Sequence, residues 1–257
     1  MKRLIAFDLD GTLAESKSPL DAEMCVLLAQ LLTVVRVAVI SGASWAQFEK
    51  QVLTHVPPDA KLQNFFILPT CGAQFYSYAQ GWNALYREDF SPEEKSRIIN
   101  ALRNALAAAG LEPAQKWGDL IEDRGSQITL SALGQEAPLE VKKLWDPDFS
   151  KRRTIKLMLD GAIPEFSVQL GGATSIDITR PGVDKGYGVR KLQQTLVVRL
   201  GDMLFVGDAI FPGGNDWPAK QTGVACIRVR DPEETKRIIE TVIACVDSEE
   251  GGCRPSN

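Results

Sequence analysis

Apolar residues gather along this chain in short unbroken runs separated by amphipathic stretches. Four runs, Leu4–Phe7, 34–40, Phe65–Leu68 and 204–206, have the length and continuity of strands buried on both faces. Helix-like segments separate the first three. In 21–32, Met24, Leu27, Leu28, Leu31 and Leu32 fall on one helical stripe. Strands alternating with helices in this way predict a doubly wound, Rossmann-like α/β core.

The pattern changes in the middle of the chain. Ser91 followed by Pro92, Glu93 and Glu94 is a helix start with proline at the first helical position, and 101–109 is rich in helix formers. The segments 121–130, 166–170 and 175–178 then alternate apolar and polar residues, as half-exposed antiparallel strands do. This predicts an α+β unit over 87–182, inserted between core segments 1–86 and 183–247. A closing helix is expected over 232–246 and a flexible tail over 248–257. The stretches 86–88 and 181–183 read as hinges.

Composition narrows the class without choosing a function. The 257 residues are 44% hydrophobic and 24% charged, with a net charge of −4. That balance disfavours a surface devoted to nucleic acid or acidic lipid. The opening apolar run is too short for a signal-peptide core, and no stretch is long enough for a membrane span. Five cysteines without paired ligand spacing read as reduced thiols, so a cytoplasmic protein is expected, monomeric or homodimeric. With His55 the single histidine, chemistry falls to the carboxylates.

Asp8-Leu-Asp10-Gly-Thr directly follows the first strand. Side chains at i and i+2 of an extended segment point the same way, so Asp8 and Asp10 can share a site at the strand's C-terminal end. Two adjacent carboxylates call for a cation between them, and such hard oxygen ligands suit magnesium. Taken alone, the pair also reads as a helix cap and turn. Ser41 and Gly42 follow the second strand, where a hydroxyl and backbone amides can hold phosphate oxygens or simply cap a helix. Lys185 sits among turn glycines, suited to neutralising a phosphoryl group or to lying solvated on the surface. Asp208 ends another strand, and Asn215 and Asp216 follow in a Pro-Gly-Gly-Asn-Asp run.

In this order, the four segments resemble the motifs of the haloacid dehalogenase superfamily. The long insert between the serine and lysine motifs resembles its type IIB cap. The nearest likeness is to eukaryotic-type phosphomannomutases and related sugar-phosphate phosphatases, carried also by Cys71-Gly-Ala with Phe75 and Tyr76, and by Gly171-Gly172 with Ser175 and Asp177. The resemblance implies an enzyme in which Asp8 is the nucleophile, Asp10 the general acid and base, and Lys185 a charge neutraliser. Mg2+ is then held by Asp8, the Asp10 carbonyl and Asp208, supported by Asn215 and Asp216. Phosphate and substrate fall to Ser41, Gly42, Arg124, Ser175 and Asp177.

A mutase must grip a second phosphate, which calls for several arginines. Family caps carry an arginine cluster after the strand matched by 121–124. Here Arg124 is present, but 133–138 holds no arginine where two more would stand, and a core arginine is replaced by Lys17. The favoured expectation is therefore a phosphatase acting on a sugar phosphate or similar small phosphomonoester. A phosphomannomutase-like mutase is the alternative, and a noncatalytic sugar-phosphate sensor a further one. Lys142, Lys143, or Lys151 with Arg152 and Arg153 are possible substitutes for the arginines, the last run reading better as solvated surface. Phe75, Tyr76, Tyr78 and Trp82 are expected to pack the core and hinge rather than stack on sugar.

Overall fold

A computed structural model of the chain describes residues 2–250. In chain order it contains β1 (Leu4–Phe7), α1 (Ala22–Val34), β2 (Arg36–Ile40), α2 (Trp45–Phe48), β3 (Phe65–Leu68), β4 (Gln74–Tyr78) and β5 (Trp82–Arg87). Then come α3 (Pro92–Ala108), β6 (Ile121–Asp123), β7 (Ile128–Ser131), α4 (Leu139–Trp145), α5 (Ser150–Ala162), β8 (Ser167–Leu170) and β9 (Ser175–Thr179). The chain ends with α6 (Lys185–Leu196), β10 (Met203–Gly207), α7 (Trp217–Gln221), β11 (Ala225–Arg228) and α8 (Pro232–Glu250). Two compact units result, one running to Tyr86 and resuming at Asp184, the other being Arg87–Val183.

The first unit is built on a seven-stranded sheet in the order β11-β10-β1-β2-β3-β4-β5. Strands β11 to β3 are mutually parallel, and β4 runs antiparallel to β3. Alternation along β1 sends Ile5 and Phe7 into an apolar cluster with α1 residues such as Leu28 and Leu31, together with Ile239 of α8. Leu4 and Ala6 enter a second cluster with Val189 and Leu192 of α6. Helix α1 begins where Asp21 accepts the Met24 amide at 2.8 Å. It continues to Val34, so the second strand starts at Arg36 and not at 34 as the apolar run suggested.

Other departures are local. Between β2 and β3 the helix expected there is only α2 and one π turn, 49–53. Phe75, Tyr76 and Tyr78 lie on β4 and Trp82 on the edge strand β5, and Tyr76 stacks on Trp45 with centroids 4.0 Å apart. Trp82 meets Trp45 and Tyr78 edge-on, and Phe75 meets Phe66 in the same way. The closing helix passes 246 and continues through Glu250, into the stretch expected as a tail; 251–257 lie outside the described residues.

The Arg87–Val183 unit has an antiparallel sheet, β6-β7-β9-β8. One face carries Ile128, Leu130, Ile176 and Ile178, packed with Ile98 and Leu102 of α3 and with Ile155 and Leu159 of α5. Helix α3 starts with a capping box between Ser91 and Glu94, with Pro92 at its first position. What read as one alternating strand over 121–130 is a hairpin, turned at Gly125 with φ +86. Strand β7 is buried along its whole length rather than half-exposed. Its polar residues Thr129 and Ser131 are therefore inside, where they must be hydrogen-bonded.

Candidate active site

The C-terminal ends of β1 and β10 carry the acids. Phe7 pairs with Val206, so Asp8 and Asp208 leave the ends of neighbouring strands one residue out of register. The Asp8 amide donates to the Val206 carbonyl at 2.9 Å, extending the ladder by one residue and fixing the side chain's origin. Continuing the β1 alternation, Asp8 follows Leu4 and Ala6 towards the α6 side of the sheet. Lys185 is the first residue of α6, a position the sequence had suggested was a turn. Asp184 caps that helix by accepting the Tyr187 amide at 2.8 Å.

Lys185 Nζ lies 2.6 Å from Asp8 Oδ1 and 2.6 Å from Asp216 Oδ1. All three side chains are buried, and Asp216 Oδ2 accepts the Ala209 amide at 2.9 Å. Carboxylate oxygens of Asp8, Asp208 and Asp216 lie within 4.8 Å of one another. Asp216, expected only to support a metal site, is thus a full member of the acidic cluster. Two glycines make room for it. A Cβ on Gly11, whose φ is +79, would stand 2.9 Å from Asp208 Oδ2, and a Cβ on Gly207 would run into the Asp216 carboxylate.

Burial pushes the Asp8 carboxyl up to about 7, with Asp216 adding to the rise and Lys185 opposing it. Burial, then Asp216, also raises Asp208. Burial alone would lower Lys185, but the Asp8 and Asp216 carboxylates hold it above its ordinary value. One ammonium against three carboxylates leaves the cluster anionic. An all-oxygen, charge-deficient set of this kind fits a hard divalent cation, which would relieve the repulsion.

The remaining expected residues are placed as follows. Asp10 Oδ1 accepts the Lys17 amide at 2.6 Å, and its carboxylate is not in the three-acid cluster. Ser41 is buried just after β2, its Oγ accepting the Ala43 amide at 3.2 Å, with Gly42 between them. Asn215 is exposed in the loop before Asp216, and Lys17 is exposed. In the other unit, register places Arg124, Ser175 and Asp177 on the polar face of the antiparallel sheet. Arg124 Nη2 is 2.7 Å from Glu122 Oε2, and Asp177 Oδ1 accepts the Thr129 hydroxyl at 2.7 Å.

One reading is overturned. Arg152, taken with its neighbours as solvated surface, is buried and paired with the equally buried Asp146 at 2.7 Å. Charge runs normally point outward, so composition alone gave no sign of this. Lys142 Nζ donates to the Gln135 carbonyl at 2.9 Å, and exposed Lys143 pairs with Glu140. A cleft of about 450 Å³ in this unit, lined by Leu111, Trp117, Val141 and Leu144 among others, includes none of the expected site residues.

The fold is that of haloacid dehalogenase-like hydrolases. A Bacteroides thetaiotaomicron protein so described superposes with a TM-score of 0.65 at 14% identity, over 94% of this chain and 100% of that one. An IMP-bound, N-terminally truncated Plasmodium falciparum IMP-nucleotidase superposes with a TM-score of 0.66 at 17% identity, over 95% of this chain and 68% of that one. The family model described as eukaryotic phosphomannomutase matches residues 24–245, and the chain belongs to that family, whose members are enzymes of the haloacid dehalogenase superfamily. The phosphomannomutase of Encephalitozoon cuniculi is 26% identical over 255 residues, 94% of either protein. No described helix is long and apolar enough to cross a membrane.

Proposed function

We propose that this chain is a magnesium-dependent phosphatase that hydrolyses a sugar phosphate, or a similar small phosphomonoester, through a phosphoryl group carried on Asp8. The observation that carries the chemistry is the buried Asp8–Lys185–Asp216 chain of 2.6 Å contacts with Asp208 beside it. Asp8 Oδ1 is taken by Lys185 and by the Leu9 amide at 2.6 Å, which leaves Oδ2 as the attacking oxygen. Asp8, Asp208 and the Asp10 carbonyl would hold Mg2+, with Asp216 completing the shell and Asn215 near it. The ion would supply charge neutralisation and alignment of the phosphoryl oxygens.

Around that centre the chain's own groups have distinct tasks. Lys185 favours the ionised form of Asp8 and offsets charge on the transferring group. The Ser41 hydroxyl and the Gly42 amide hold a non-bridging oxygen. Asp10 protonates the leaving alcohol, then takes a proton from the water that frees Asp8. Arg124, Ser175 and Asp177 receive the distal part of the substrate.

Water as acceptor is favoured by the cationic side chains available for a second phosphate. Arg124 is already engaged by Glu122, Arg152 is buried on Asp146, and 133–138 contains no arginine. A second reading, phosphosugar mutase, is favoured by the family match and by relatives named as phosphomannomutases. Incubation with mannose 1-phosphate or glucose 1-phosphate, with and without a hexose bisphosphate, separates them. Inorganic phosphate as the main product is expected; accumulation of the 6-phosphate would replace the hydrolase with the mutase.

A further inference from the structure

Arg152 is 2% exposed, yet no step of the proposed reaction uses it. Burying a guanidinium and a carboxylate sacrifices their hydration, a cost that a well-packed apolar pair would avoid. The contacts show where the arginine is aimed. Its Nε donates to Asp146 Oδ2 at 2.7 Å, and Nη1 donates to the carbonyls of Gly171, at 3.2 Å, and of Gly172. The Phe149 ring covers the guanidinium with its centroid 4.8 Å from Cζ. The guanidinium's rigid fork reaches the carboxylate through Nε and both carbonyls through Nη1; a lysine ammonium gathers its donors at one point on a flexible stem and does not fix the same spread.

The turn so clamped leads into β9. The Gly171 amide donates to the Ser175 carbonyl at 2.9 Å, closing the turn onto that strand. A Cβ on Gly171 would stand 2.7 Å from Asp177 Oδ2 and 3.0 Å from Ser175 Cβ. Asp177 is therefore confined on two sides: its Oδ2 lies against the bare glycine, and its Oδ1 takes the Thr129 hydroxyl at 2.7 Å. Thr129 in turn receives a hydrogen bond from Gln127 Nε2 at 3.0 Å, which orients its hydroxyl towards Asp177.

We infer that Arg152 is a positioning residue for substrate selection: by clamping the Gly171 and Gly172 carbonyls it sets the place and orientation of the Asp177 carboxylate, the acceptor for hydroxyls at the far end of the substrate. This rests on the sugar-phosphate reading above for what Asp177 meets, but not for the clamp itself. Arg152 touches no substrate. Its effect should be confined to substrates that carry hydroxyls for Asp177 to bind.

The test uses the full chain bearing Arg152→Lys, which keeps a cation beside Asp146, and separately Gly171→Ala, which leaves the buried pair intact but crowds Asp177. For each, KM and kcat are measured with a hexose 1-phosphate and with p-nitrophenyl phosphate, and the crystal structure is determined. A rise in KM of about tenfold or more for the sugar phosphate is expected, matching the weakening of one charge-assisted hydrogen bond. The p-nitrophenyl phosphate constants should stay near wild type, and the Thr129–Asp177 contact should be broken or displaced. Equal losses on both substrates, or an Asp177 carboxylate left in place in both variants, would overturn the clamp. A wild-type protein inert towards every hexose phosphate sinks the functional reading instead, and the Asp177 position in the variant crystals still decides the clamp.

Discussion

Asp8 is held between opposing influences: burial and Asp216 favour its neutral form, while Lys185 favours the carboxylate. Its pKa of about 7 lies above the ordinary value of 3.8, so between those two pH values the folded, metal-free protein binds a proton that the unfolded chain has released. The contribution to stability is present in full below the unfolded pKa and is lost as pH rises through the folded one. In EDTA, the melting temperature of wild type relative to Asp8→Asn should therefore fall from pH 4 to pH 8. A constant difference across that range would contradict the burial argument. Adding Mg2+ at pH 8 should raise the wild-type melting temperature, and Asp208→Asn should lose most of that rise. The variant Asp8→Asn should melt cooperatively yet release no phosphate, because an amide oxygen is a poor nucleophile at phosphorus.

The elements bring these residues together through close backbone approach. Helix α6 meets the turn after β3 where Gly188 lies against Ile40 and the Cys71 carbonyl. A Cβ on Gly72, whose φ is +93, would stand 2.6 Å from Gly188 Cα. This contact sets how near α6, and hence Lys185 at its start, can come to the ends of the strands. The variant Gly72→Ala combines a disfavoured backbone with a backbone clash and should lose about 1–3 kcal/mol of stability, measured by urea unfolding. Because the helix must retreat, catalytic rate should fall as well. Unchanged activity together with lowered stability would show that Lys185 is placed by Asp8 and Asp216 alone.

At the scale of the whole molecule, each unit has a core drawn from its own residues. The cluster of Ile98, Leu102, Ile128, Leu130, Ile155, Leu159, Ile176 and Ile178 lies entirely within Arg87–Val183. A fragment of residues 87–183 is long enough to bury a core of this kind and should fold by itself, giving a cooperative thermal transition and dispersed amide resonances. A fragment that stays unfolded would mean that the core seen here is insufficient without the rest of the chain. The same segment is where sequence reading was least complete. Its alternating strands and α3 were legible from period and capping residues, but the hairpin at Gly125, the burial of Thr129 and Ser131, and the buried Arg152 were not. The burial of Thr129 and Ser131 depends on β9, far along the chain, and that of Arg152 on the turn at Gly171 as well as on Asp146.

Local chemistry was enough to settle the strands that lead into Asp8, Ser41 and Asp208, because unbroken apolar runs demand burial on both faces whatever surrounds them. It also marked the motif order that places the chain in its superfamily. Tertiary structure alone decided that Asp216 joins the acidic cluster, that Lys185 lies between Asp8 and Asp216, and that Arg152 points inward at a glycine turn. Those outcomes turn on distances between residues tens of positions apart, and a carboxylate or guanidinium looks the same in a sequence whether water or a buried partner answers its charge.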